Sequence, residues 1–219
     1  MVSGASSEDA AADVVHTAQA RGGRAHAVHL DLADPEAPEQ LMQAAESAFR
    51  GPGHLGQQRR AVFYPGPAGR DRCEGSKVFD SVMAVNTRSV FLTMRYAARQ
   101  MRDGGRIVNI STSLTARAFP QIGPYLASKG AIEQLTAVAA QELGPRAITV
   151  NNVSPGTTDT ELLRSTNTPE ALQAFGAMSP VGRLGQPGDV ADVVGFRVSP
   201  EGRWLTGQNL RATGGACPY

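Results

Sequence analysis

The chain has 219 residues, enough for one α/β domain and too few for two. Hydrophobic residues make up 41% and charged residues 19%, which excludes global disorder, and a net charge of +1 gives no electrostatic footprint for nucleic acid or an anionic membrane. Cys73 and Cys217 stand far apart in no metal-ligand spacing, no apolar run reaches a membrane span, and the first twelve residues lack a secretory pattern, so a cytoplasmic protein without a metal site is expected.

Ser6-Ser7-Glu8-Asp9 reads as a helix entry, followed by the stripe Ala10, Ala11, Val14, Val15 and Ala18 and a stop at Gly22-Gly23. Residues 25–30 read as a short buried strand ending at Asp31. Asp34-Pro35-Glu36 starts a second helix, with Leu41, Met42, Ala45 and Phe49 on one face. A strand is due next, but residues 56–60 are polar and basic, and only residues 61–64 look strand-like before Pro65. From Val78 the pattern is regular. A long helix ends near Gly104-Gly105, and residues 106–110 form a strand. A polar loop over 111–123 leads to a helix over 125–143, then a strand over 148–153. Thr168 caps a short helix over 169–177, a helix covers 189–198, and a last strand covers 209–213. Alternating strands and helices imply a parallel sheet covered on both faces, an α/β doubly wound fold.

The chemistry concentrates in Tyr125-Leu126-Ala127-Ser128-Lys129. Tyr and Lys at i and i+4 share one helix face, and an ammonium beside a phenol favours the phenolate. Such a pair can protonate a carbonyl oxygen or deprotonate an alcohol. An amphipathic core Tyr beside a solvated Lys is the bland alternative. The hydroxyls Ser111-Thr112-Ser113 follow a strand end, where open α/β folds bind ligands. Val153-Ser154-Pro155-Gly156 ends the next strand, followed by Thr157, Thr158 and Thr160, and Asn86 sits inside an otherwise apolar helix.

In these pieces, with Asn109-Ile110-Ser111-Thr112 and the closing Thr206-Gly207-Gln208 through Gly214-Gly215, the chain resembles the classical short-chain dehydrogenase/reductase family. The resemblance is close over residues 78–215 and fair over 6–49. It implies a single Rossmann-type domain over residues 1–219, with an incomplete dinucleotide-binding half (1–77) and a catalytic half (78–219). It implies an NADP- or NAD-dependent oxidoreductase that interconverts a carbonyl and a secondary alcohol. Tyr125 is then the general acid/base, Lys129 its partner on the nicotinamide ribose, and Asn86 the holder of a relay water. Thr112 orients the substrate oxygen, with Ser113 as the rival. The cofactor would also meet Pro155, Gly156, Thr158 and Thr160, and its adenine would meet Asp31 and Leu32. Residues 160–180 would form a lid whose apolar side chains, Leu163 and Phe175 among them, suit a largely apolar small molecule. A homodimer or homotetramer is implied, paired through the helices over 78–101 and 125–143.

Two departures stand out. The family's Gly-x-x-x-Gly-x-Gly turn occurs nowhere in the chain; Gly4 is followed by Glu8 and Ala10 where the other glycines belong. Position counting matches residues 6–12 to the family's second helix, which leaves the first strand-helix-strand unit largely missing and the strand over 25–30 without a neighbour. The family's Asn-Asn-Ala-Gly is replaced near residues 57–60 by Gln57-Gln58-Arg59-Arg60. Were residues 56–60 encoded as GGT CAA CAA CGC CGC, a reading one base along would spell Val-Asn-Asn-Ala, as a local frameshift would leave it; a genuine basic surface loop is the alternative. A truncated, non-catalytic homologue, as a pseudogene product or an association partner of an intact relative, is the alternative reading. With no acid near Ser3-Gly4 to take a ribose hydroxyl, NADP is preferred to NAD.

Overall fold

The computed structural model describes residues 2–4, 8–49, 54–57, 76–118 and 120–217. Four parallel strands form the main sheet in the order β3 (His54–Gln57), β4 (Arg106–Ile110), β5 (Thr149–Pro155), β6 (Asn209–Ala212). Its register sets Ile107 beside Val150, and Val153 beside Leu210. Six of the seven residues of β5 are buried, as a strand covered on both faces requires. β1 (Val2–Gly4) and β2 (Ala27–His29) form a separate parallel pair. No strand joins β1 to β3 among the described residues.

That pair corrects the expectation that the strand after Gly22-Gly23 has no neighbour. Three residues, Val2–Gly4, supply one. Strand backbone must be paired whatever its length, so even a short segment is recruited. β3 is a second correction. The segment entering the polar run 56–60 is a strand, because its ladder with β4 uses backbone groups and tolerates polar side chains. The cap expected at Ser6-Ser7, the strand expected over 61–64 and residues 58–60 lie outside the described residues.

Helices α1 (Glu8–Ala20) and α2 (Ala37–Phe49) follow β1 and β2. α2 starts three residues later than expected, because the Asp34 carboxylate accepts from the Glu36 amide and holds residues 34–36 in a turn. The long helix expected from Val78 is three pieces in line. These are α3 (Ser76–Met83), a π turn over Ala84–Arg88, and α4 (Ser89–Gln100). Helix α5 (Gly123–Leu143) lies against β5. Two short helices, α6 (Glu161–Thr166) and α7 (Pro169–Ala177), make up the segment expected to be a lid. Sequence periodicity showed only the second of them, since one six-residue helix spans too few turns to display a stripe. Helix α8 (Pro187–Val198) packs on β4, β5 and β6.

The core unites Met42 of α2, Val90, Met94 and Ala97 of α4, Met101, Ile107 of β4, Ile132 and Ala140 of α5, and Val150 of β5. The Tyr96 hydroxyl donates to Glu46 at 2.8 Å and ties α4 to α2. Burial first, then that bond and the carboxylate charge, push its pKa up to about 12. Arg146 donates to the Ala98 and Met101 carbonyls and closes the α4 C-terminus with a cation. No described helix is long and apolar enough to cross a membrane.

Arg197 breaks the pattern of α8. It continues the stripe Val190, Val193, Val194 at the i+7 position and is 2% exposed. Its Nε and Nη1 have no hydrogen-bond partner among the described residues, and desolvation pulls its pKa below the usual guanidinium value. A buried, incompletely paired cation opposes folding. Arg197→Leu is expected to raise stability by about 1–4 kcal/mol in urea unfolding; a less stable Leu variant would show that the guanidinium is paired in solution.

Candidate active site

The carboxyl end of β4 brings the site together. The Lys129 ammonium, 2% exposed, donates to the Ile110 carbonyl at 2.8 Å, where β4 ends. It also lies 5.9 Å from the centroid of the Tyr125 ring, one helical turn back on α5. Tyr125 itself is half-buried, in the first turn of α5 behind Pro124. Phenol and ammonium thus share a face of α5 that is pinned to a strand end.

Asn86 is fully buried inside the π turn. There the Ser89 amide donates to Ala84, five residues back, which re-aims the side chains of the turn. The Asn86 amide donates to Ser128 Oγ at 3.0 Å, Thr87 Oγ1 donates to the Ser128 carbonyl at 3.1 Å, and Ser128 Oγ donates to the Tyr125 carbonyl at 2.7 Å. Ser128 is therefore the point where the π turn docks on the helix that carries Tyr125 and Lys129. Sequence spacing does not reveal this role.

Ser111, Thr112 and Ser113 follow β4 and are all buried. Thr112 caps the short turn Ser113–Thr115, and its Oγ1 accepts from the Leu114 amide at a long 3.4 Å. The Ser113 carbonyl accepts from the Cys217 thiol at 3.6 Å, which lays the carboxyl-terminal segment against this loop. Glu133, which no motif singles out, accepts from Ser111 and Thr115. Its only sequence signal is its place four residues beyond Lys129 on the same helix face.

Behind the site, Asn109 of β4 donates to Thr136 of α5 at 2.8 Å, and Thr136 donates to Asn152 of β5 at 3.0 Å. The Asn151 amide group binds the Leu205 carbonyl and the Gln208 amide. These bonds explain how Asn151 and Asn152 can be buried in β5, while the buried Thr149 hydroxyl has no partner among the described residues.

Pro155 and Gly156 end β5 on the same edge of the sheet. A Cβ on Gly156 would come 3.0 Å from the Thr213 Cα, so a side chain there would crowd the backbone. Thr158 donates to the Gly156 carbonyl at 3.0 Å, and Thr160 caps α6 by accepting from Leu163 at 3.3 Å. Leu163 is buried and Phe175 half-buried, while Met178 is exposed. Asp31 accepts from the Ala33 amide at 2.9 Å, a turn-forming contact, and Leu32 is half-buried beside it. Arg88, the last residue of the π turn, donates to the Ala33 carbonyl at 2.5 Å and brings the Asp31-Leu32 loop to the rest of the site.

The donors present suit the nicotinamide end of a dinucleotide: a buried ammonium, a phenol, hydroxyls and close-approaching backbone at Gly156. The pyrophosphate end is different, since the glycine-rich turn is missing from all 219 residues.

The profile of a family described as Enoyl-(Acyl carrier protein) reductase matches residues 2–217. An NADPH-dependent aldehyde reductase-like protein, chloroplastic, of Arabidopsis thaliana is 35% identical over 198 residues, 89% of this chain and 73% of that protein. Versicolorin reductase 1 of Aspergillus parasiticus is 34% identical over 228 residues, 99% of this chain and 86% of that protein. The structure of the angucycline C-6 ketoreductase LanV with bound NADP is similar with a TM-score of 0.87 at 33% identity, over 99% of this chain and 85% of that one.

Proposed function

The chain belongs to the short-chain dehydrogenase/reductase family, and from that premise we propose that it interconverts a carbonyl and a secondary alcohol on a small, largely apolar molecule. It is an oxidoreductase of NAD(P) type. NADP is favoured over NAD by the NADPH-dependent aldehyde reductase-like relative and by the NADP-bound ketoreductase. The observation that carries the reading is the buried Lys129 ammonium beside the Tyr125 phenol at the end of β4.

A nicotinamide held at Lys129, Pro155 and Gly156 would supply or accept the hydride. Tyr125 gives its proton to the carbonyl oxygen in reduction and takes one from the alcohol in oxidation. Lys129 favours the phenolate through its charge and binds the nicotinamide ribose. Thr112 donates to the substrate oxygen, with Ser113 next to it as the second candidate. Asn86 holds the water that refills the proton. Asp31, Leu32, Pro155, Gly156, Thr158 and Thr160 complete the cofactor contacts, and Leu163 and Phe175 give the pocket its apolar wall. Residues 1–77 serve the dinucleotide and 78–219 the chemistry, although β3 pairs into the sheet of the second group.

Tyr125→Phe deletes the proton donor and leaves the ring. It should lower acetophenone reduction by about 10²–10⁴-fold with the fold intact; full turnover would place the proton path elsewhere. Lys129→Met should move alcohol oxidation to higher pH, and an unchanged profile would remove Lys129 from the mechanism.

A second reading is favoured by the missing glycine turn and the divided sheet: the chain as it stands holds the cofactor poorly and is catalytically weak or inert. Each charge-assisted hydrogen bond lost from the pyrophosphate weakens binding by roughly 1.5–3 kcal/mol. Fluorescence titration of the 219-residue chain with NADPH should therefore show an affinity orders of magnitude below that of a relative with the turn. Low-micromolar binding would dismiss the second reading.

Association into dimers or tetramers is part of the proposal. Phe79 of α3, Phe91 of α4 and Val138 of α5 are 45%, 45% and 55% exposed, on the helices expected to pair. Sedimentation at micromolar concentration should show at least a dimer, and a clean monomer would contradict the pairing.

A further inference from the structure

We propose that Glu133 is a positioning residue that aims the Thr112 hydroxyl by fixing the chain on both sides of it. The inference rests on the reading of Thr112 as the group that orients the substrate oxygen. A single carboxylate oxygen, Glu133 Oε1, lies 2.6 Å from Ser111 Oγ and 2.7 Å from Thr115 Oγ1. Both hydroxyls have a second acceptor in reach: the Lys129 carbonyl at 3.4 Å for Ser111 and the Thr112 carbonyl at 2.9 Å for Thr115. The carboxylate is nearer in each case and is the stronger acceptor.

Ser111 is the first residue after β4, and Thr115 is the last residue of the short turn Ser113–Thr115. Thr112 lies between the two anchors. Its Oγ1 accepts from the Leu114 amide at 3.4 Å and donates to no group among the described residues, so its proton is free for a ligand oxygen. Glu133 thus engages the hydroxyls that flank the candidate pair and leaves Thr112 and its neighbour Ser113 unengaged. Because Glu133 follows Tyr125 and Lys129 at successive four-residue steps on α5, one helix face carries the phenol, the ammonium and the anchor of the opposite loop. The distance from Thr112 to Tyr125 is then set by a rigid element rather than by the loop.

The test is backbone hydrogen exchange over residues 111–117 in the full chain, compared among wild type, Glu133→Gln and Glu133→Ala. Exchange there should be about ten-fold or more faster in Glu133→Ala and intermediate in Glu133→Gln, which keeps a neutral acceptor, while residues 106–110 stay at the wild-type rate. Wild-type exchange over 111–117 in both variants would overturn the proposal. If Glu133→Ala also loosens residues 106–110, the near-isosteric Gln variant decides by the same criterion.

Kinetics give the second readout, with acetophenone and NADPH as the probes. Glu133→Ala should lower kcat about 10- to 100-fold with little change in KM, as a small misplacement of an orienting group does. In a Thr112→Ala background the same substitution should cost nothing further. Equal losses in both backgrounds would show that Glu133 acts elsewhere and would overturn the proposal. Full turnover in Thr112→Ala alone would overturn the role of Thr112, and with it this use of Glu133. That failure is distinguishable, because the exchange effect of Glu133 would persist.

Discussion

A buried ammonium must be met by acceptors, and Lys129 organises the candidate site around that requirement. At 2% exposure it has little contact with water, and it is held by the carbonyl of Ile110 and the neighbouring Tyr125 ring. The Ile110 carbonyl is available because β4 ends there. Helix α5 must therefore cross the carboxyl end of β4, which brings Tyr125 to the strand-end loop of Ser111, Thr112 and Ser113. Asn86 and Thr87 hold the same turn of α5 from the other side through Ser128. The π turn that carries Asn86 widens the helix ladder by one residue where its amide meets Ser128.

The other end of the molecule lacks such a constraint. The strand that the family places between β1 and β3 has no counterpart among the described residues, and the sheet is two pieces. What joins them is side-chain packing: α2 lies on α4, Tyr96 reaches Glu46, and Arg88 reaches the Ala33 carbonyl. Arg197 of α8 is buried with two guanidinium nitrogens that have no partner among the described residues. Side-chain hydrogen bonds tie α5 to β4 and to the π turn, whereas the two sheets meet through helix packing and a few side-chain bonds.

The candidate site could be proposed from sequence because its residues fall at short, fixed spacings. Tyr125 and Lys129 are one helical turn apart, and Pro155-Gly156 ends a strand of obvious pattern. The failures have equally specific causes. β3 was hidden because His-Leu-Gly-Gln has no strand periodicity, and only the ladder with β4 makes it a strand. β1 was hidden because three residues carry no period, and the pairing with β2 decides it. Ser128 and Glu133 were hidden because their roles depend on contacts across 42 residues in one case, and 22 and 18 in the other.

The sequence by itself determined the fold class, the family and the Tyr125–Lys129 face, since helix period, strand-end glycines and local order are written in neighbouring residues. Only the tertiary structure decided that the lysine is buried on a β4 carbonyl, that a π turn rather than a plain helix carries Asn86, that a single carboxylate accepts from hydroxyls on both sides of Thr112, and that a buried arginine is incompletely paired among the described residues. Each of these depends on the meeting of segments far apart in the chain, and burial turns such a meeting into an obligation to satisfy polar groups that local sequence does not reveal.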